Sequence, residues 1–193
     1  MSILFCTPCY GAQIFSQHFQ SCLDTKEVLT NINLEHDWLL MWNESLIQRA
    51  RNNLVKQFLN TNYERLMFLD ADIEFSAEDV SKLWNMNKDI AVGVYPMKRK
   101  DAPYAAWVAG APITNLKEYN KPLKVGYAGT GFMMIKRKVF ERLQSKMPGK
   151  SHEEGGGSFA WFDPRVEDGV YLSEDYAFCN DARSIGFSFP PRS

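Results

Sequence analysis

Apolar residues along this chain alternate between short unbroken runs and a spacing of three and four, the pattern of strands alternating with helices. Ile3 to Cys6 is the first run, closed by Thr7-Pro8, and from about Ala12 the residues Ile14, Phe15, Phe19, Cys22 and Leu23 recur at helical spacing. Trp38 to Trp42 is the second run, and Asn43 is the expected N-cap of a helix carrying Leu46, Ile47, Ala50, Leu54, Phe58 and Leu59. Arg65-Leu-Met-Phe-Leu69 is apolar at almost every position, which predicts a strand covered on both faces in a parallel sheet. Ser76 and Asp79 have capping-box spacing ahead of Val80, Leu83 and Trp84, and Ile90 to Tyr95 reads as a further strand ended by Pro96. Three strand and helix units with short connections predict an open α/β sheet whose ligands lie beyond the carboxyl ends of its strands.

The pattern changes at about Ala105, where shorter aromatic and glycine-rich pieces take over: AAWVAG, VGYAGTGFMMI and FAWFD. Residues 1–100 are therefore expected to bind a nucleotide-like ligand and residues 101–193 to hold the second substrate, within one domain of 193 residues. The segment 146–158, KMPGKSHEEGGGS, has almost no apolar content and is expected to be a mobile loop, with Gly149 to Ser158 closing as a lid. SEDYAFCNDARSIGF near the end reads as an amphipathic helix.

Composition narrows the classes. Hydrophobic residues at 45% and charged residues at 23% are those of an ordinary globular domain. A formal net charge of -1 gives no global cationic field for duplex nucleic acid or an anionic membrane. No run of about 18 apolar residues is present, and the start MSILFCTPCYG lacks the basic and long apolar regions of a signal peptide, so a cytoplasmic location is expected. Four cysteines are too few for a disulfide framework in a chain of this size and are expected to be reduced thiols.

The candidate chemistry begins at Asp70-Ala71-Asp72, directly after the strand RLMFL. Two carboxylates at alternate positions beyond a strand's carboxyl end reach one small volume. Carboxylate oxygens suit hard cations such as Mn²⁺ and Mg²⁺, which also bind phosphate oxygens and neutralise a departing diphosphate. The bland alternative is one Asp capping the next helix and the other solvated in a loop.

The stretch QRARNNLVKQFLNTNYERLMFLDADIEFSAEDV resembles the nucleotide-sugar transferases of the GT-A class, whose short acidic motif ends a central strand and holds a metal on the donor diphosphate. From Thr7-Pro8 to Glu174-Asp175 the chain also resembles the small glycosyltransferase domains of large algal viruses that decorate their capsid protein. The resemblance implies a GT-A fold, Mn²⁺ (or Mg²⁺) held by Asp70 and Asp72, a nucleoside diphosphate sugar as donor, with a UDP-sugar favoured, and a glycan or glycoprotein acceptor such as a viral capsid protein in a host cytoplasm. It places Thr7, Pro8 and Tyr10 at the nucleobase and ribose, where Tyr10 stacks on a pyrimidine unless Pro8 merely ends the strand and Tyr10 packs. Arg51, with Arg49 behind it, and Lys98 are expected near donor phosphate, each with a solvated surface charge as the alternative. Gly129-Thr130-Gly131 resembles the sugar-facing turn, where small residues let backbone approach a ligand. Trp107 and Trp161 offer flat faces for sugar rings, with core packing as the alternative.

Glu174 and Asp175 open the last helix, where the dipole alone favours carboxylates. The resemblance instead turns them toward the acceptor, with Asp175 as base and Glu174 orienting substrate or capping the helix. The resembled enzymes often take a third metal ligand, frequently histidine, from a strand after this helix. None follows here, leaving either Asp70, Asp72, phosphate and water as the full set, or a ligand beyond Ser193. His18 and His36 lie in earlier elements and His152 in the expected lid. Two rival readings remain: a catalytically silent nucleotide-sugar-binding module, and a thioredoxin-like thiol redox protein using Cys6 and Cys9 in Cys-Thr-Pro-Cys.

Overall fold

The structure, a computed structural model, describes residues 2–98, 103–108, 110–118, 121–152 and 158–187. The first run forms β1 (Ser2–Cys9), all of it buried. It extends past the expected end at Cys6 because β3 pairs with it only as far as Cys6, whereas β2 pairs with it through Cys9. Beyond Cys6 one side of β1 has no neighbouring strand, and a proline without an N–H fits there. α1 (Ser16–Asn31) starts later than Ala12, since Gly11 and Ala12 take left-handed φ values of 65 and 56° in a short turn.

After β2 (Glu35–Trp42), Asn43 is not the N-cap expected of it: its φ of 62° makes it a left-handed turn residue, and α2 (Ile47–Leu59) begins four residues on. Glu44 does part of the capping instead, accepting from the Leu46 amide at 3.0 Å and from Arg49 Nε at 2.6 Å. β3 (Arg65–Leu69) and the capping box of α3 (Ala77–Asn85) lie where the pattern placed them. β4 (Ile90–Val92) is shorter than Ile90–Tyr95, and Pro96 makes only an isolated bridge to Tyr104.

The second half of the chain supplies a small antiparallel sheet, β5 (Ala106–Val108), β6 (Ala111–Pro112) and β7 (Tyr127–Ala128), then β8 (Phe132–Lys136) and α4 (Arg137–Lys146). Two hairpins come next, β9 (Ser151–His152) with β10 (Ser158–Phe159) and β11 (Arg165–Glu167) with β12 (Val170–Leu172), before α5 (Glu174–Ser184). The flanks of the expected mobile loop are thus built into the fold: Lys146 ends a helix, Pro148–Lys150 is a 3-10 turn, and Lys150 Nζ donates to buried Asp181 at 2.6 Å. A lysine with a buried carboxylate partner anchors a segment that composition alone marks as solvated. Residues 153–157 of that expectation lie outside the described residues.

The main sheet runs β2-β1-β3-β8-β4. β1 is parallel to both β2 and β3, and β8 is antiparallel to β3 and to β4, so β8 alone is reversed in a mostly parallel sheet. Alternate residues of β3 face opposite sides. Leu66 and Phe68 pack with Leu54 and Phe58 of α2, Phe140 of α4 and Phe178 of α5, while Met67 and Leu69 pack with Leu29 of α1 and Val80 and Leu83 of α3. Each such fully buried side chain contributes about 1.5–3 kcal/mol, so the strand leading into Asp70 is a rigid base for the turn beyond it. No described helix is long and apolar enough to cross a membrane.

Candidate functional site

The chain leaves the core at Asp70 in a turn tied down on two sides. The Asp70 amide donates to the Gly131 carbonyl at 2.9 Å, which fixes the turn to the start of β8, and the Ile73 amide donates back to Asp70 O at 3.0 Å. α1 holds the next residues: the Phe15 amide donates to Ala71 O at 2.9 Å, His18 Nδ1 lies 3.0 Å from Ile73 O, and the Phe75 amide donates to Ser21 Oγ at 3.0 Å. The carboxylates of Asp70 and Asp72 remain partly open, at 30 and 20% exposure.

Arg51 projects from α2 under this turn, its side chain only 4% exposed and its guanidinium 5.2 Å from the Phe68 ring centroid. Nη2 donates to Asp70 Oδ1 at 2.9 Å, and Nε faces Glu174 Oε1 at 3.7 Å. Burial works against its charge, yet Asp70 and Glu174 outweigh burial and hold it protonated. Arg51 therefore joins the first carboxylate of the acidic turn to the first residue of α5. Among the described residues neither Nε nor Nη1 has a hydrogen-bond partner. Arg49 points elsewhere, paired with Glu44 and half exposed.

Gly129 and Gly131 are needed for a reason that their spacing alone does not reveal. A Cβ on Gly131 would come within 2.6 Å of Asp70 Oδ2 and 2.7 Å of the Tyr95 hydroxyl, and one on Gly129 within 2.4 Å of the same hydroxyl. The close approach belongs to side chains of the site itself. The Gly131 amide donates to Tyr95 Oη at 3.0 Å, and burial, with the charge of Asp70, pushes the phenol's pKa up, so it stays a neutral donor. Thr130, between the glycines, is buried with its hydroxyl unpartnered among the described residues.

At the head of α5, Asp175 Oδ1 accepts from the Ser173 hydroxyl and from the Tyr176 amide at 2.8 Å. Burial raises its pKa against those two bonds, and burial followed by the charge of Asp175 raises that of Glu174 against the pull of Arg51. Lys98 reaches across from the loop after β4 to pair with Asp72, its side chain 82% exposed. Such an ion pair is worth about 0–1 kcal/mol and opens readily.

At the end of β1, Thr7 and Pro8 are buried, and Thr7 Oγ1 is unpartnered among the described residues. Tyr10 is 78% exposed, which leaves its ring free to stack and removes the packed alternative. Cys6 and Cys9 lie in one strand at a spacing that sends them to opposite faces, and burial pushes both thiols up. A reactive dithiol needs the opposite on both counts, so the thioredoxin-like reading is excluded. Trp161 is core, donating from Nε1 to Phe140 O at 3.2 Å, whereas Trp107 is half buried with its ring edge-on to Tyr176.

The acidic turn offers the hard oxygen donors that Mn²⁺ or Mg²⁺ takes. Among the described residues no group of three His, Cys, Asp or Glu side chains could cage a metal. His18 does not join such a group: its Nδ1 lies on Ile73 O, and its Nε2 faces Cys22 Sγ at 3.5 Å. The donor set fits a cation that completes its shell with phosphate and water.

No protein-family model matches the chain, and no curated protein does. Among solved structures, one of a candidate glucose-1-phosphate thymidylyltransferase from Bacillus anthracis, in complex with a sucrose, is similar at 13% identity, covering 74% of each chain with a TM-score of 0.38. At that score neither fold identity nor activity transfers. What the site does must come from its residues.

The sequence pointed to Asp70, Asp72, Arg51, Lys98, Glu174, Asp175 and the Gly129-Thr130-Gly131 turn; Asp70 is joined to Arg51 and through it to Glu174, and by its amide to Gly131, while Lys98 pairs separately with Asp72 and Asp175 follows Glu174 at the head of α5. Thr7, Pro8 and Tyr10 stand at the same carboxyl edge of the sheet, and among the described residues no hydrogen bond or ion pair joins them to these side chains. Tyr95 was missed, since nothing in GVYP marks its hydroxyl as the partner of a residue 36 positions away.

Proposed function

We propose that the chain is a metal-dependent glycosyltransferase that moves a sugar from a nucleoside diphosphate donor, with UDP-sugars favoured, to a hydroxyl of a glycan or glycoprotein. The observation that carries this reading is the link Asp70–Arg51–Glu174, which puts the acidic turn and the acid pair of α5 beside one another at the carboxyl edge of the sheet. A divalent cation on Asp70 and Asp72 would supply charge neutralisation for the leaving diphosphate. Lys98, exposed to solvent, would turn from Asp72 to the phosphates as the cation takes its place. Tyr10 would stack on the base beyond β1.

Asp175 suits the base. Two donors fix Oδ1, which aims the carboxyl, and a pKa raised by burial brings a carboxylate closer to the acceptor hydroxyl it deprotonates. Glu174, held by Arg51, would orient the substrate. A screen of nucleotide sugars with Mn²⁺, read by nucleotide release and by calorimetry, tests the proposal. The expected result is UDP-sugar binding that EDTA abolishes and that Asp72→Asn severely weakens. Equal UDP affinity in Mn²⁺ and in EDTA would sink the metal bridge, and binding without any turnover on glycan or glycoprotein acceptors would leave a silent binding module.

A further inference from the structure

We propose that His18 is a positioning residue that sets the geometry of the acidic turn, acting through the backbone of Ile73 and not as a metal ligand. The inference rests on the metal site proposed above. α1 grips the turn at alternate residues, through the Phe15 amide to Ala71 O, His18 Nδ1 to Ile73 O and Ser21 Oγ from the Phe75 amide. Residues 71, 73 and 75 are thereby fastened to the helix, while the carboxylates of residues 70 and 72 meet Arg51 and Lys98. His18 is the middle hook and the residue next to Asp72 depends on it. A carbonyl oxygen only accepts, so the proton sits on Nδ1 and Nε2 is left to accept, with Cys22 Sγ 3.5 Å away. The ring is 1% exposed and stands edge-on to Phe75 at 5.8 Å, which leaves it one orientation. Without this bond Ile73 O would lose its partner in a partly buried setting and the turn would shift to find another.

Metal sites are sensitive to such outer partners: their loss typically weakens metal affinity by about 10–100-fold. The test is Mn²⁺ binding to the full chain, read by the loss of free-ion electron paramagnetic resonance signal, for four proteins. His18→Asn places an amide N–H near the position of Nδ1, and His18→Gln places it one bond farther out. We expect His18→Asn to stay within about threefold of wild type and His18→Leu and His18→Gln to lose about tenfold or more, although all three remove the same ring. A purely structural role would instead lower the melting temperature of all three together without separating Asn from Gln in metal affinity. His18→Leu or His18→Gln that folds and binds Mn²⁺ as wild type does overturns the positioning role alone. If His18→Leu does not fold, the Asn and Gln pair decides. Wild-type protein that binds no Mn²⁺ overturns the metal site itself, and this inference with it.

Discussion

Two clusters of buried charge use the same helix, and they are built on different terms. Near the third turn of α5, Asp181 is 3% exposed and both its oxygens are taken: Lys150 Nζ at 2.6 Å, Arg165 Nη2 at 2.7 Å and Nη1 at 3.3 Å. That cluster is complete. It fastens the ends of two hairpins to α5 and leaves nothing for a ligand to do. In the first turn of the helix, Glu174 meets Arg51 only at 3.7 Å, and two guanidinium donors have no hydrogen bond among the described residues. A buried donor left unpaired costs about 1–3 kcal/mol, so a fold retains one where a ligand or its water completes the set. The satisfied cluster reads as structure and the unsatisfied one as function.

Substitution in each cluster should separate the two roles. The largest effect is expected from Asp175→Asn, which preserves shape and removes the charge: transfer should fall by about a hundredfold or more, with Mn²⁺ and donor affinity unchanged. A variant that transfers at the wild-type rate would remove Asp175 from catalysis. Next comes Asp181→Leu, which strands Lys150 and Arg165 and should cost about 2–3 kcal/mol of stability, below the full range for a buried pair because Arg165 is partly open. Urea titration measures it, and a midpoint equal to wild type would mean that the complete cluster holds nothing together. Gly131→Ala should cost about 1–3 kcal/mol by overpacking Asp70 and Tyr95, and calorimetry should show weaker Mn²⁺-supported UDP binding. If donor binding survives intact, the contact between the turn and β8 is not part of the site. The smallest effect belongs to Lys98→Met, with stability within about 0.5 kcal/mol of wild type and donor affinity reduced by no more than about fivefold, as befits an exposed charge. A larger loss in an equilibrium binding assay would make Lys98 a principal phosphate ligand.

Much of residues 1–100 was legible because local signals and global packing agree there. The almost uniformly apolar run RLMFL suits a strand covered on both faces, and Asp70 and Asp72 follow it directly. Ser76 with Asp79 carries its cap within four residues. The misreadings arise where a distant partner decides. Pro8 continues β1 because β3 stops short of it, and no feature of Thr7-Pro8-Cys9 reports the length of another strand. Asn43 is compatible with a cap or with a left-handed turn, and Glu44, one residue on, settled the choice. The reasons for Gly131 and for the order in 146–152 lie in Tyr95, Asp70 and Asp181, each remote in sequence. His18 was visible as a residue but not as the hook of the acidic turn, since its partner is a main-chain carbonyl that any residue at position 73 supplies.

The reversed strand bears on how the protein is made. β3 lies between β1 and β8, but β8 leaves the ribosome long after β3 does. Chains are extended at about 5–20 residues per second, so for several seconds a nascent chain carries the strand Arg65–Leu69, apolar after its first residue, with one edge open and the Asp70 amide without its carbonyl partner. Open apolar edges are where chains pair with the wrong neighbour. Residues 1–100 on their own are therefore a poor candidate for expression, because the edge of Arg65–Leu69 that β8 covers would stay open and Leu66 and Phe68 would lose Phe140 and Phe178 from their packing.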